Sequence, residues 1–231
     1  MPTSELDICN KALLRVGHTK FLDAFRGAGD GSLEADVCNR SYDDCRDEVL
    51  LAAPWPFAVK RWLPAQIAPA VLANGVVPTG WAYAYTMPPD LVAMRPMVPV
   101  VLPASFSLVP PNLIAPLYQS TRVTREDQTV PFTIEYDSKL QANILLTDAP
   151  TPEWRYTAQI TDPTRFDAAF VSALAWRLAV ELALAVRKDV KMAGLAQQMY
   201  DRAVAEAAAK AKREVRPDNE PVPAYIATRG G

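Results

Sequence analysis

The chain predicts an α+β fold: a helical bundle formed by its N- and C-terminal segments, an antiparallel β-rich, proline-rich region inserted between them, and an extended C-terminal arm. Of its 21 prolines, 17 lie between Pro54 and Pro163. Proline removes a backbone donor and blocks the preceding turn, so this middle region cannot be a helical bundle. Both flanks instead repeat apolar residues every three or four positions, whereas the middle alternates them every two. These patterns place a discontinuous bundle at 1–57 and 162–213, the insertion at 58–161 and the arm at 214–231.

In the first flank, Leu6, Cys9, Leu13 and Val16 form one apolar face, with Thr3 or Ser4 as the cap and Gly17 at the far end. A loop over 18–31 follows. Ser32 then caps a longer helix on which Cys38, Tyr42, Cys45 and Val49 recur at the same spacing, and Pro54 ends it. The other faces of that helix carry Glu34, Asp36, Asp43, Asp44, Asp47 and Glu48, and residues 1–53 hold ten acidic side chains against six Lys and Arg. A solvated face is the plain reading of such a stripe, and a charged contact with another subunit is the sharper one.

The insertion reads as short strands between turns. Trp81, Tyr83 and Tyr85 alternate with alanines, Phe132, Ile134 and Tyr136 alternate with Thr133 and Glu135, and 144–146 and 154–160 are further candidates for a small antiparallel sheet or barrel. The stretch Met97 to Tyr118 is apolar, proline-rich and uncharged. It either packs beneath the sheet or is covered by a neighbouring subunit.

The second flank starts at Asp162-Pro163-Thr164, where proline suits a first helical turn, and runs through Phe166, Phe170, Leu174, Leu178 and Leu182. Arg187, Lys188 and Asp189 mark a break before a last helix over about 190–212, with Met192, Leu195, Met199 and Ala203 on one side. Between Arg187 and Arg216 there are eight basic residues and four acidic ones. The proline-containing tail from Glu214 to Gly231 leaves the bundle as an arm whose Val222, Tyr225 and Ile226 would gain by docking on a partner.

Chemistry is scarce. His18 is the single histidine, which excludes multi-histidine metal sites, and no nucleophile elbow accompanies it. The loop Arg26-Gly27-Ala28-Gly29-Asp30-Gly31-Ser32 lacks the Lys-Ser/Thr ending of a phosphate-binding loop, and Asp30 would repel phosphate. Asp43 with Asp47, and Asp44 with Glu48, share helix faces, but an acidic surface stripe needs no metal. Trp81, Tyr83 and Tyr85 have no basic residues between them, so core packing is expected in place of base stacking. Cys9, Cys38 and Cys45 read as small buried thiols in a reducing compartment, since Cys38 and Cys45 are two helical turns apart. The expectation is therefore no catalytic residue, no cofactor and no metal. With a net charge of -2, no secretory signal, and Arg177 and Glu181 interrupting the apolar run from 168 to 186, a chain folded in a cytoplasm without a membrane span is expected.

One arrangement runs through most of the chain. Cys9-Asn10-Lys11-Ala12-Leu13 and Val16-Gly17 are followed by a helix ending Pro54-Trp55-Pro56-Phe57-Ala58, and then by Tyr83-Ala84-Tyr85-Thr86-Met87-Pro88-Pro89-Asp90. Arg155-Tyr156 then leads to Asp162-Pro163 and the alanine-rich helix from Phe166. Over roughly residues 5–210 this order resembles the head-to-tail adaptor family of tailed bacteriophages, the group that includes the tail tubular protein A of short-tailed phages. The stretch Met97 to Tyr118 departs from the commoner pattern, and the tail carries no matching motif.

The resemblance implies a virion protein: a subunit of a dodecameric ring under the portal vertex that receives the tail nozzle or tail tube, with DNA passing the lumen unread. The expected protomer interface sets Asp43, Asp44 and Asp47 against Lys188 and Lys191 of a neighbour, and the arm is expected to dock on the portal through Val222, Tyr225 and Ile226. The alternative is a small DNA-binding or regulatory module using Arg187, Lys188, Lys191, Lys210, Lys212, Arg213 and Arg216, though these cluster at the two ends of the last helix with acids between.

Overall fold

The computed structural model describes residues 4–26, 31–95, 131–150 and 154–214. Among them are four α-helices and six strands in two small antiparallel sheets, so the fold is α+β. The helices are α1 (Glu5–Arg15), α2 (Leu33–Ala52), α3 (Ala168–Ala185) and α4 (Val190–Glu214). The strands are β1 (Val59–Trp62), β2 (Tyr83–Tyr85), β3 (Leu91–Met94), β4 (Phe132–Asp137), β5 (Ala142–Thr147) and β6 (Trp154–Ala158).

The chain divides into two compact units. The first holds residues 1–60, 89–94 and 156–214, and so takes in β3 and most of β6 along with the helices; the second holds 61–88, 95–155 and 215–231. The uncharged stretch 97–118 and the arm residues Val222, Tyr225 and Ile226 lie outside the described residues.

Each helix of the first unit starts and stops for a local reason. Ser4 caps α1 with a reciprocal box: its hydroxyl accepts the Asp7 amide at 3.1 Å while Asp7 accepts the Ser4 amide at 2.9 Å. At the other end Gly17 takes a left-handed φ of 69°, and the amides of Gly17 and His18 return to the carbonyls of Leu14 and Leu13. That pair of bonds satisfies carbonyls the helix leaves open, and a side chain at Gly17 would also meet the Arg187 guanidinium at 2.9 Å. Ser32 caps α2 by accepting the Ala35 amide.

The start of α3 differs from the expectation. Pro163–Arg165 form a separate 3-10 turn capped by Asp162, Phe166 is extended, and Asp167 caps a helix that begins at Ala168. Two consecutive caps compete for the first turn, and the second one heads the longer helix.

The helix α3 is the hub, packing against α1, α2 and α4. Phe170, Leu174, Leu178 and Leu182 on it are buried, as are Cys9 and Leu13 of α1, Val16 just after it, and Cys38, Tyr42, Cys45 and Val49 of α2. At 18 residues and a mean hydropathy of 1.6, α3 is long and apolar enough to cross a membrane by length and composition, which two charged residues did not suggest. Half of that window is buried within the protein. On α4 the buried line is Ala193, Ala196 and Tyr200, while Leu195, expected on the inner face, is 50% exposed. The inner line uses alanine where helices pack, so hydrophobic size misplaced the face.

The expected single sheet is two sheets of three strands, ordered β1-β6-β3 and β2-β5-β4. Trp81 precedes β2 and packs against the buried cluster of Ile67, Leu72, Ala84, Ile144 and Leu146. A hairpin joins β4 to β5, with Phe132 opposite Thr147 and Asp137 opposite Ala142. Asp137 holds its turn by accepting the Lys139 and Leu140 amides, and also accepts the Ala73 amide at 2.9 Å. The Ala73 bond, then those of Leu140 and Lys139, keeps its carboxyl below the usual carboxylate range.

Candidate functional site

The acidic face of α2 is the place where the sequence concentrated its candidate residues, and a buried cation organises it. Arg46 is 4% exposed, and its guanidinium reaches Asp43 at 2.7 Å and Asp47 at 2.9 Å. A buried guanidinium is tolerated only when paired and hydrogen-bonded. Arg26 adds a second contact to Asp43 at 2.5 Å and reaches Glu5 of α1 at 3.5 Å. On the other side the Gln159 amide donates to Asp47 at 2.7 Å.

Three more acids of the stripe are also paired. Glu48 pairs with Arg177 of α3 at 2.7 Å, and Arg177 also meets Glu181 at 2.7 Å. Burial opposes the charge on Arg177, but the bonds from Glu181 and Glu48 outweigh it and raise its pKa above the ordinary arginine value. Asp36 pairs with Arg40, and Glu34 with His18 at 3.1 Å.

Asp43 and Asp47 therefore have their charge matched inside the chain. Asp44 is exposed and makes no charge pair among the described residues. Lys188 and Lys191 are exposed at the elbow between α3 and α4, where Lys188 takes a left-handed φ of 51° and Asp189 caps α4 through the Lys191 and Met192 amides. Leu184, Val190 and Leu195, on the two helices that meet at this elbow, are 46%, 74% and 50% exposed. Within one chain the structure does not bring these lysines and the α2 acids together as ion pairs.

Of the basic residues of the alternative reading, Arg187 donates to the Val16 carbonyl and so serves the α1 terminus. Lys188 and Lys191 are exposed, and the side chains of Lys212, Arg213 and Arg216 lie outside the described residues.

Sequence reasoning missed a second polar cluster. Asp90 accepts from the Lys60 ammonium at 2.5 Å and from the Tyr156 hydroxyl at 2.9 Å. Burial pushes the Asp90 carboxyl up, but the Lys60 and Tyr156 bonds outweigh it and hold it below the usual range. Burial, then the Asp90 bond, pushes Tyr156 up to about 12, so this hydroxyl stays protonated and acts as a donor. Lys60, Asp90 and Tyr156 are far apart in sequence, so no spacing could have joined them.

No group of three or more His, Cys, Asp or Glu suited to a metal occurs among the described residues. Cys9, Cys38 and Cys45 are buried free thiols. Burial pushes Cys45 up to about 12, and a bond to Cys38, then burial, raises Cys9 as well. Both are kept from the thiolate form in which cysteine reacts.

No known family model matches the chain, and no curated protein matches it.

Proposed function

We propose that the chain is a ring-forming subunit of a head-to-tail adaptor in a tailed bacteriophage. It is a structural virion protein, not an enzyme, set between the portal and the tail nozzle or tail tube, and its ring surrounds the DNA passage.

The observation that carries this reading is the position of the residues on which the resemblance rests. Asn10 clamps the loop after α1 at two points, donating to the Leu22 carbonyl at 3.1 Å and accepting the Leu22 amide at 2.8 Å. Trp55 is 1% exposed, donates its indole N–H to the Val49 carbonyl at 2.7 Å, and meets Phe170 edge-on at 5.0 Å. Phe57 closes the same aromatic box against Phe166 and Phe170. Asp90 of the Pro-Pro-Asp run accepts from Tyr156 of the Arg-Tyr pair. These residues fasten the first unit from four separate parts of the chain, which supports a shared frame over a chance likeness of composition.

The interface of such a ring draws on Asp44, facing Lys188, Lys191 and the apolar residues around them on a neighbouring protomer. Asp43 and Asp47 support it indirectly, by holding α2 in place. The arm, with Val222, Tyr225 and Ile226, docks on the portal.

Native mass determination tests the proposal with the chain alone and mixed with the portal protein of the same phage. A closed high-mass ring, carried on the portal in the mixture, is expected. A chain that stays monomeric in both removes the adaptor reading.

A further inference from the structure

The sheet β2-β5-β4 has one covered edge and one open edge. Beyond β2 lies the segment 65–67: Gln66 bridges to Tyr85, the Ile67 amide donates to the Ala84 carbonyl at 2.8 Å, and the Thr86 amide donates to the Ala65 carbonyl at 3.1 Å. Beyond β4, nothing among the described residues pairs with the backbone. Every second residue of β4 therefore holds out an amide and a carbonyl, and another extended strand is the partner that satisfies them as a row.

The side chains on this edge are apolar for a strand that faces water. Ile134 is 42% exposed and Tyr136 65%, and Phe132 is half-buried. Alternation puts these three on one face of the strand and Thr133 and Glu135 on the other. Glu135 is the one exposed charge on β4, since Asp137 is buried and bonded to the amides of the turn that follows. Pro131 stands before the strand and has no amide to offer, so the stretch open to a partner runs from Phe132 to Tyr136.

From either end, that stretch has the same character: aromatic, polar, isoleucine, polar, aromatic. A second copy brought alongside by a two-fold axis normal to the sheet pairs antiparallel, and residues directly opposite share a face. With the axis at Ile134, Ile134 meets Ile134, Phe132 meets Tyr136, and Thr133 meets Glu135. With the axis at Glu135, two carboxylates would stand directly opposite, which destabilises a pair. With the axis at Thr133, Glu135 would meet Pro131 and Tyr136 would lie beyond the paired stretch.

We propose that the open edge of β4 pairs with β4 of a second copy of this chain, antiparallel and centred on Ile134. The pairing covers the exposed Ile134 and Tyr136, sets aromatic rings across from each other and keeps the two Glu135 carboxylates apart. One short strand pair makes a small interface, so the association is weak and depends on concentration. The same patch is used on both copies, so the contact joins two chains or two rings and is not the seam that closes a ring. It goes beyond the adaptor reading and does not depend on it.

The test is sedimentation equilibrium of the full chain in the Asp44→Lys background, which weakens the ring contact, from about 10 µM to about 1 mM. A monomer–dimer equilibrium is expected. Adding Ile134→Lys or Ile134→Glu sets like charges opposite each other across the axis, so each chain alone should stay monomeric. An equal mixture of the two should regain the dimer, because a lysine then meets a glutamate; a chain that had merely misfolded would not be rescued. Thr133→Lys places a lysine opposite Glu135 at both ends and should tighten the dimer by about fivefold. A chain that is monomeric at the highest concentration, a dimer that survives in both Ile134 variants, a mixture no more dimeric than its components, or no gain from Thr133→Lys overturns the proposal. Since Asp44→Lys removes the ring contact and not this one, the two readings fail separately.

Discussion

The two units bury polar groups by different means. In the first, charged side chains enter the helical packing in pairs: Arg46 with Asp43 and Asp47, Arg177 with Glu48 and Glu181, and Arg15 with its guanidinium 4.2 Å over the Trp176 ring and bonded to the Ser172 carbonyl. Among the described residues of the second, the interior is apolar and aromatic. Its buried polar residues, Asp137 and Thr147, bond to backbone: Asp137 accepts three amides and Thr147 donates to the Pro131 carbonyl. Helices satisfy their own backbone and leave side chains to tie one helix to another. Short strands with irregular connections leave loop amides and carbonyls that side chains must satisfy. Deleting an arginine should therefore damage the first unit more than the second.

The largest effect expected is from Trp55→Ala. It removes a fully buried ring, its contacts to Phe170 and Phe57, and the bond to Val49. Urea unfolding should show a loss of about 4 kcal/mol, the range for buried tryptophan or phenylalanine truncation. A loss below about 1 kcal/mol would mean that the aromatic box does not anchor the unit.

A second pair of variants sets the two units side by side. Arg46→Ala removes a buried guanidinium and its bonds to Asp43 and Asp47; both carboxylates are partly exposed, so the cost is that of lost packing and charge-assisted hydrogen bonds, about 2 kcal/mol. Arg155→Gln, on an exposed face of the second unit, should stay within about 0.5 kcal/mol. Equal losses in thermal melts of the two would erase the distinction between the units.

A smaller change of opposite sign sharpens the same point. The Tyr42 hydroxyl is buried and has no hydrogen-bond partner among the described residues, while its ring packs edge-on against Phe25 at 5.2 Å. Tyr42→Phe keeps the ring and removes the unpaired group, so it should stabilise the chain by about 1 kcal/mol. A loss of stability in urea would show that the hydroxyl does have a partner in solution.

Much of this frame was legible because helices announce themselves twice, by period and by caps. Cys9, Leu13 and Val16, Cys38 through Val49, and Phe170 through Leu182 are buried where their spacing put them. The strands around Tyr83–Tyr85 and Phe132–Tyr136 were legible by alternation and Ile144–Leu146 as a further candidate, but their division into two sheets was not, because pairing depends on partners far away in the chain. The candidate site was the least legible part. On a helical wheel Asp43 and Asp47 look solvated, and nothing local says that Arg46, between them in sequence, turns inward and draws both carboxylates with it.

Asp44 is where a small effect on stability and a large effect on assembly should separate. Its carboxylate is exposed and makes no charge pair among the described residues, so Asp44→Lys should change unfolding by no more than about 0.5 kcal/mol. If α2 meets the α3–α4 elbow of a neighbour, the new lysine faces Lys188 and Lys191, and like charges at a contact select against that arrangement. Ring formation in native mass measurements should weaken, and Lys188→Glu with Lys191→Glu in the same chain should restore it. Asp43→Lys cannot serve instead, because it would disturb Arg26 and Arg46 and so confuse folding with assembly. An Asp44→Lys chain that assembles like wild type, at low salt as well as high, would move the protomer contact away from this face of α2.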